Sequence, residues 1–463
     1  MSVMNIAARL SNHSSDMLLL PFSNLRQLRE ARPLVFTSGK GIFTFDEDGK
    51  DYIEAVSTFY CVGLGFSDEE LIEAAIAQLR ALPMYPSGIH RTVPVVMELA
   101  ERLSQSAPIP NAHVMFATTG SEANDQLVKF TWYANRVAGQ PQRRKIISRR
   151  GSYHGGTVLT SALGGGAAVQ EAFGVPTHDV LHVAHPTWPR GALPGESEDE
   201  YTDRLVAELK ETIEAAGPET VAAFIAEPLS VSSGMFAPPR GYFPKIKALL
   251  DGYGIRLYAD EVVTGFGRTG TMWGCESFDL VPDCMSTAKT LSGAYQPIAA
   301  VLMSDEFYRL LEIGSDTAGI FNHGSTYAAH PVAAAVALKV LDIFEQRDIL
   351  GHIRSVMPAW AKGLAALEDH PLVTATRCFG LAGGVQVALP GTEGGSQAAA
   401  SLVPGGIATQ IYDAALAAGV VVRPLQGCLV LAPPLIITEA EIDELFRRLR
   451  IGLDAVLADL PPN

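Results

Sequence analysis

Five short apolar runs in the middle of the chain each end at or near a polar or charged residue. They are HVMFATT (His113 to Thr119), KIISRR (Lys145 to Arg150), VAAFIAEP (Val221 to Pro228), IRLYADEV (Ile255 to Val262) and DCMSTAK (Asp283 to Lys289). Short runs of this kind, unbroken by strict alternation, read as strands buried on both faces. Helical stretches lie between them at Glu122 to Ala138, Asp203 to Ala216 and Phe243 to Tyr253. Strand and helix in alternation predict an α/β sheet that is mainly parallel. In such sheets ligands gather at the carboxyl ends of the strands, where these polar residues fall.

At 463 residues the chain is too long for one small core, and two domains are expected. From Pro331 the pattern changes to a helix-rich run reaching Leu350. Small β segments (GGVQVALP, CLVLAPP) and an amphipathic helix near Glu439 to Leu457 follow. This divides the chain into a large domain, 66–330, and a small one built from 1–65 and 331–463. The Gly-rich insert around Gly391 to Gly406 is the expected mobile loop, and the Pro/Gly/acid-rich segment His185 to Tyr201 reads as a surface excursion.

A net charge of -15 argues against nucleic acid or an anionic membrane as partner. The uncharged stretch Gly394 to Tyr412 carries too much Gly, Ser, Gln and Pro for a membrane span. The apolar patch Met17 to Phe22 is too short for a signal core. Five scattered cysteines without a CxxC pair fit reduced thiols, so the cytoplasm is the expected location and no structural metal is needed.

The strand-end residues supply chemistry. Lys289 and Asp260 close two of the runs, and a lysine and an acid at the ends of neighbouring strands suit a pyridoxal phosphate site. The amine makes a Schiff base and the carboxylate faces the pyridinium nitrogen. The ordinary alternatives are an exposed strand-end lysine and a buried Asp260–Arg268 pair. Val262, two residues beyond Asp260, is expected on the same strand face, beneath a ring. ATTGSEAND joins a strand end to a helix start, where Gly120 and Ser121 can hold a phosphate, or where Thr119 or Ser121 simply caps the helix. SYHGG offers Tyr153 to a cofactor face, or a buried core tyrosine instead. His154 reads as a structural histidine. Glu227, at another strand end, needs a partner if buried. A nicotinamide-dependent oxidoreductase is disfavoured because no GxGxxG follows the first strand.

Together the strings GSEAND, YHGG, AEP, ADEVVTGFGRTG, STAKTLSGAYQP, NHGSTYAAHP and VRP…LAPPLIIT resemble the class III aminotransferases of pyridoxal-phosphate fold type I. The resemblance is to their omega-transaminase, or amine:pyruvate, branch. It implies a large domain with a mixed, mostly parallel seven-stranded sheet and a smaller α+β domain from both termini. It also implies that Lys289 binds the cofactor and carries the reaction's proton, with Asp260 at the ring nitrogen and Val262 and Tyr153 on the ring faces. Gly120 and Ser121 take the phosphate, and Glu227 stands near the cofactor's hydroxyl. Thr326 reaches the phosphate of a neighbouring subunit, so a homodimer with shared sites is implied, and a dimer of dimers stays open. Arg423 matches an arginine that binds a keto acid's carboxylate and swings away for an uncharged amine.

Substrate-side departures are Tyr60, where many relatives carry Trp, and Gly88, where a large aromatic is frequent. Val231-Ser232-Ser233 replaces a small-residue run. The first two changes widen a pocket shared with Tyr153 and Arg423, while the third adds bulk elsewhere. This predicts a bulky or long-chain amine donor, and pyruvate is the expected acceptor because no second fixed arginine for a dicarboxylate is apparent. The alternative is a mutase or a decarboxylating aminotransferase of the same class.

Overall fold

The computed structural model describes residues 17–26, 33–231, 233–390, 406–425 and 427–460. The first three strands, β1 (Phe36–Lys40), β2 (Phe43–Asp46) and β3 (Asp51–Glu54), form an antiparallel meander. The central strands follow: β4 (His113–Ala117), β5 (Lys145–Arg149), β6 (Val180–Val183), β7 (Val221–Ala226), β8 (Arg256–Asp260), β9 (Cys284–Thr287) and β10 (Ala299–Met303). They make one seven-stranded sheet in the order β4-β10-β9-β8-β7-β5-β6. Every residue of β7, β9 and β10 is buried, as unbroken apolar runs covered on both faces require.

β10 is antiparallel to both β4 and β9, and the other pairings are parallel. That reversal makes β4 parallel to β9 again. The carboxyl ends of β4, β5, β7, β8 and β9 therefore share one edge of the sheet. The mixed seven-stranded sheet agrees with the expected fold. Among the runs read from sequence, neither β6 nor β10 had been picked out.

Helices cover both faces. The helix Gly120–Val137 starts three residues after β4, capped by the Thr119 hydroxyl, and packs on β9 and β10. The helix-rich run expected from Pro331 to Leu350 is two helices, Pro331–Gln346 and Ile349–Ala365. The break falls at Asp348, whose φ of +44° is left-handed and whose carboxylate caps Gly351. The first of these helices packs against Glu69–Ala81, Pro94–Ser106 and the turn that begins at Lys289.

Two four-stranded sheets complete the chain. β11 (Val373–Phe379) pairs with β12 (Ala382–Val387), which pairs with β15 (Cys428–Leu431), which in turn pairs with β14 (Arg423–Leu425). β13 (Val420–Val421) joins the N-terminal meander, parallel to β3, with Glu54 opposite Val421. The backbone continues this zipper: Ala55 donates to Val421 O at 3.0 Å and Ala432 donates to Ala55 O at 2.7 Å. Residues 55–62 are thereby laid beside Arg423 despite their separation in sequence. The insert 391–405 lies outside the described residues.

Glu261, immediately after β8, shows how the edge is held rigid. Its buried carboxylate accepts the Thr264 hydroxyl and the amides of Gly274 (2.9 Å) and Cys275 (2.6 Å). Burial pushes its acidity toward the neutral form. Glu261→Ala leaves three interior donors unpaired and is expected to cost about 3 kcal/mol. A fall in the urea midpoint at unchanged slope is the readout, and an unchanged midpoint would show that these donors find other acceptors.

Candidate active site

Lys289 leaves the end of β9 in a left-handed backbone conformation, φ +49°, a strained geometry for a non-glycine residue. Its amine lies 5.6 Å from the centroid of the Tyr60 ring. Burial lowers its pKa to about 8, reinforced by the charge of Arg423 and opposed by Asp260, Cys61 and Glu227. With a pKa that low, a share of the amine is neutral near physiological pH, and that share is a nucleophile and a proton acceptor.

Asp260, the last residue of β8, is almost fully buried. One oxygen, Oδ1, accepts the Val262 amide at 3.1 Å. The other, Oδ2, accepts from Asn124 Nδ2 and faces His154 Nδ1, both at 2.8 Å. The second hydrogen of the Asn124 amide goes to His154 O at 2.8 Å, so two acceptors fix its orientation. The expected alternative partner is elsewhere: Arg268 donates to the carbonyls of Leu381 and Pro433 at 2.8 and 2.7 Å. No Asp260–Arg268 pair forms. His154, read from sequence as structural, is the aspartate's neighbour, and its buried Nε2 has no partner among the described residues. Asn124 was missed altogether, although it stands inside GSEAND. Val262 lies past the end of β8, in a turn closed by its own bond to Asp260, and does not continue the strand face.

At the end of β4 the chain folds tightly against this aspartate. A Cβ built on Gly120 would come 2.9 and 3.0 Å from the Val262 methyls and 3.6 Å from Ala288 Cβ. Glycine is therefore required for the helix start to approach the β8 and β9 ends. The Ser121 hydroxyl accepts the Gly156 amide at 3.0 Å. Gly155, at φ +142°, would place a Cβ 2.5 Å from that hydroxyl. The result is a glycine-walled cup at a helix N-terminus, where backbone amides favour an anion. Glu122 braces it, accepting Thr118 N (2.7 Å) and Oγ1 (2.6 Å) on one oxygen and the Ser325 hydroxyl (2.6 Å) on the other. Thr326, the next residue, is exposed.

The partner that buried Glu227 requires is Arg149, whose Nη2 donates to both Glu227 O and Oε2 at 2.8 Å. Glu227 Oε1 accepts the Tyr153 amide at 3.3 Å, which anchors a tyrosine that is 49% exposed at the mouth of the site. Tyr60 adopts φ +65° and is buried, and that burial raises its hydroxyl pKa to about 12 despite Arg423 nearby. Arg423 sits among three rings, with centroids at 4.8 Å (Phe59), 5.5 Å (Phe22) and 5.5 Å (Tyr60). Among the described residues no carboxylate pairs with it. Phe22 and Phe59 escaped the sequence reading because isolated aromatics carry no motif. Gly88 lies in an exposed turn closed by its two backbone bonds to Arg91, and a Cβ on it would meet nothing within 4 Å. Val231 packs in the cluster that includes Tyr60, and Ser233 donates to Gly151 O, while Ser232 falls outside the described residues.

These residues fit pyridoxal phosphate. The lysine has a low pKa, and the buried aspartate keeps an acceptor position open. The glycine-walled cup offers amides to a phosphate.

Comparison with known proteins agrees. A family model described as Aminotransferase class-III matches residues 27–452. The chain is 38% identical over 429 residues to gamma-aminobutyrate transaminase 1, mitochondrial, of Oryza sativa subsp. japonica, covering 92% of this chain and 82% of that protein. It is similar to the solved omega transaminase from Pseudomonas jessenii in complex with PMP, with TM-score 0.91, 38% identity, and 96% and 97% of the two chains covered. A PMP-bound aminotransferase from Vibrio fluvialis superposes with TM-score 0.91 at 32% identity, covering 97% of this chain and 98% of that one.

Gly120→Ala forces the Val262 methyls aside and is expected to weaken pyridoxal phosphate binding by roughly ten-fold or more, an overpacking cost of ~1–3 kcal/mol. Absorbance titration of the apoprotein measures it. In the same titration, the attachment rate at Lys289 is expected to rise with pH and level off above about 8, as the amine loses its proton. A rate that keeps climbing as an ordinary lysine's would contradict the depressed pKa.

Proposed function

Because the chain belongs to the class III aminotransferases, which use pyridoxal phosphate, we propose that it transfers the amino group of a bulky or long-chain primary amine or omega-amino acid to pyruvate. The products are an aldehyde or ketone and alanine. The observation that carries this reading is Arg423, a guanidinium without a carboxylate partner among the described residues that acts electrostatically on the amine of Lys289. A planar cation in that position suits the carboxylate of a keto acid.

When bound, the cofactor supplies an electron sink for the carbon that carries the substrate nitrogen. Lys289 would hold the cofactor covalently, and its amine would then take the proton from that carbon and return it. Asp260, oriented by Asn124 and His154, would face the ring nitrogen. Val262 and Tyr153 would flank the ring, with Tyr153 kept in place by Glu227 and Arg149. Gly120 and Ser121 would hold the phosphate together with Thr326 of the partner subunit, so the active unit is a homodimer. Tyr60, Gly88, Tyr153 and Arg423 would shape the substrate pocket. Support for the roomy donor side comes from the open space at Gly88 and from a tyrosine at position 60.

The same reading divides the chain into 66–330 and a small domain of 1–65 with 331–463. In its favour, the strands of the central sheet all fall between 113 and 303, one smaller sheet joins β1, β2 and β3 to β13 from the other end of the chain, and the second smaller sheet lies wholly within 373–431. A cytoplasmic location also belongs to it. The cysteines are free and no helix among the described residues is long and apolar enough to cross a membrane, although several relatives are named mitochondrial or chloroplastic.

An amine panel with pyruvate and 2-oxoglutarate tests the assignment, and stoichiometric alanine from pyruvate is the expected result. Turnover without any keto acid would instead identify a mutase. Arg423→Leu is expected to raise KM for pyruvate roughly 10- to 100-fold, the ~1.5–3 kcal/mol of a charge-assisted hydrogen bond, with little change for an uncharged amine. Gly88→Phe is expected to depress turnover of the largest donors and spare small ones, and equal loss across the panel would count against the wide pocket.

A further inference from the structure

Away from the site described above, two guanidinium groups converge on one aromatic ring. Arg190, in the excursion after β6, lies 4.5 Å from the centroid of Phe236, and Arg377, on β11, lies 4.2 Å from the same centroid. Phe236 is buried and closes the loop after β7 through two backbone bonds of 3.1 Å with Ser230.

The two cations are held very differently. Arg377 is built into the fold: Nε donates to Gly234 O at 2.7 Å, and Nη2 donates to Gln386 Oε1 at 3.2 Å and Cys428 Sγ at 3.1 Å. Gly384 makes room for it, since a Cβ there would come 3.3 Å from Arg377 Nε and 3.1 Å from Cys428 Sγ. Arg190 is exposed, and its guanidinium donates to none of the described residues. No carboxylate pairs with either arginine among those residues.

Two cations over one ring repel one another, and the ring face returns only part of that cost. In a chain whose net charge is -15, acids to neutralise them are plentiful, yet none of the described acids pairs with them. What the pair lacks is an acceptor from outside. The free fork of Arg190 beside the fixed cation of Arg377 matches a planar or tetrahedral oxyanion.

We propose that Arg190 and Arg377 form a binding site for a small oxyanion, a carboxylate or a phosphate group, on the far side of the wall that backs the substrate pocket. Cys428, against which Arg377 rests, packs in the same apolar cluster as Tyr60, Val231 and Met235. A bound anion draws the excursion carrying Arg190 onto β11 and the loop after β7. It does so through contacts that Arg423 and the phosphate cup do not share.

The experiment uses protein saturated with pyridoxal phosphate, so that the phosphate cup is filled, at constant ionic strength. Inorganic phosphate and malonate are titrated separately by calorimetry and by thermal unfolding, against wild type and Arg190→Gln. Saturable binding is expected in the wild type, with apparent affinity roughly ten-fold weaker in Arg190→Gln. The tighter of the two anions identifies the ligand class. Without anion, Arg190→Gln is expected to unfold at the same temperature as wild type or higher, because repulsion is removed and no hydrogen bond is lost. Absence of saturable binding, or binding unchanged in Arg190→Gln, overturns the proposal, since the second result assigns the anion to Arg423 or another cation.

Discussion

Lys289 and Asp260 stand at the ends of two adjacent parallel strands, one amine and one carboxylate, the carboxylate buried and the lysine half-buried. Burial drives the lysine toward its neutral form while the aspartate's charge pulls the other way, so the amine titrates far below an ordinary lysine without being silenced. Much of the surrounding structure serves to hold that opposition steady. Asn124 and His154 fix the carboxylate, Glu261 locks the turn after it, and the absent Cβ of Gly120 lets a helix start close over both strand ends.

The layout of the sheet explains why those residues meet. A single antiparallel strand, β10, sits between β4 and β9 and restores their common direction. The loop after β4 thus arrives at the same edge as the lysine and the aspartate. The substrate side is assembled by a different device. The short parallel pairing of β3 with β13 draws the left-handed segment carrying Phe59 and Tyr60 against Arg423 from the far end of the chain. The lysine and aspartate are thereby held by central strands, and the surroundings of Arg423 by the contact between N-terminal and C-terminal segments.

How much was legible beforehand differed with the kind of signal. Strand termini such as Asp260 and the lysine after β9 were visible because an apolar run that stops at a charge is a local pattern. The glycine cup was visible for the same reason, although capping could explain it equally well. His154 was read as structural without its partner and Asn124 was overlooked, because one polar residue among helical or loop neighbours looks the same whether or not it faces a buried carboxylate. The aromatic rings around Arg423, and those arginines that share Phe236, involve partners too far apart in the chain for any periodicity to register.

The sequence by itself determined the α/β alternation, the place of the chemistry at strand ends, and the family whose motifs the chain carries. Hydrophobic burial and backbone preference act over a few residues, and their imprint survives in a linear string. Only the tertiary structure decided which partner each buried charge received: His154 and Asn124 for Asp260, Arg149 for Glu227, backbone carbonyls for Arg268. A charge removed from water must be paired in three dimensions, and every candidate of suitable sign looks alike until folding brings one of them within reach.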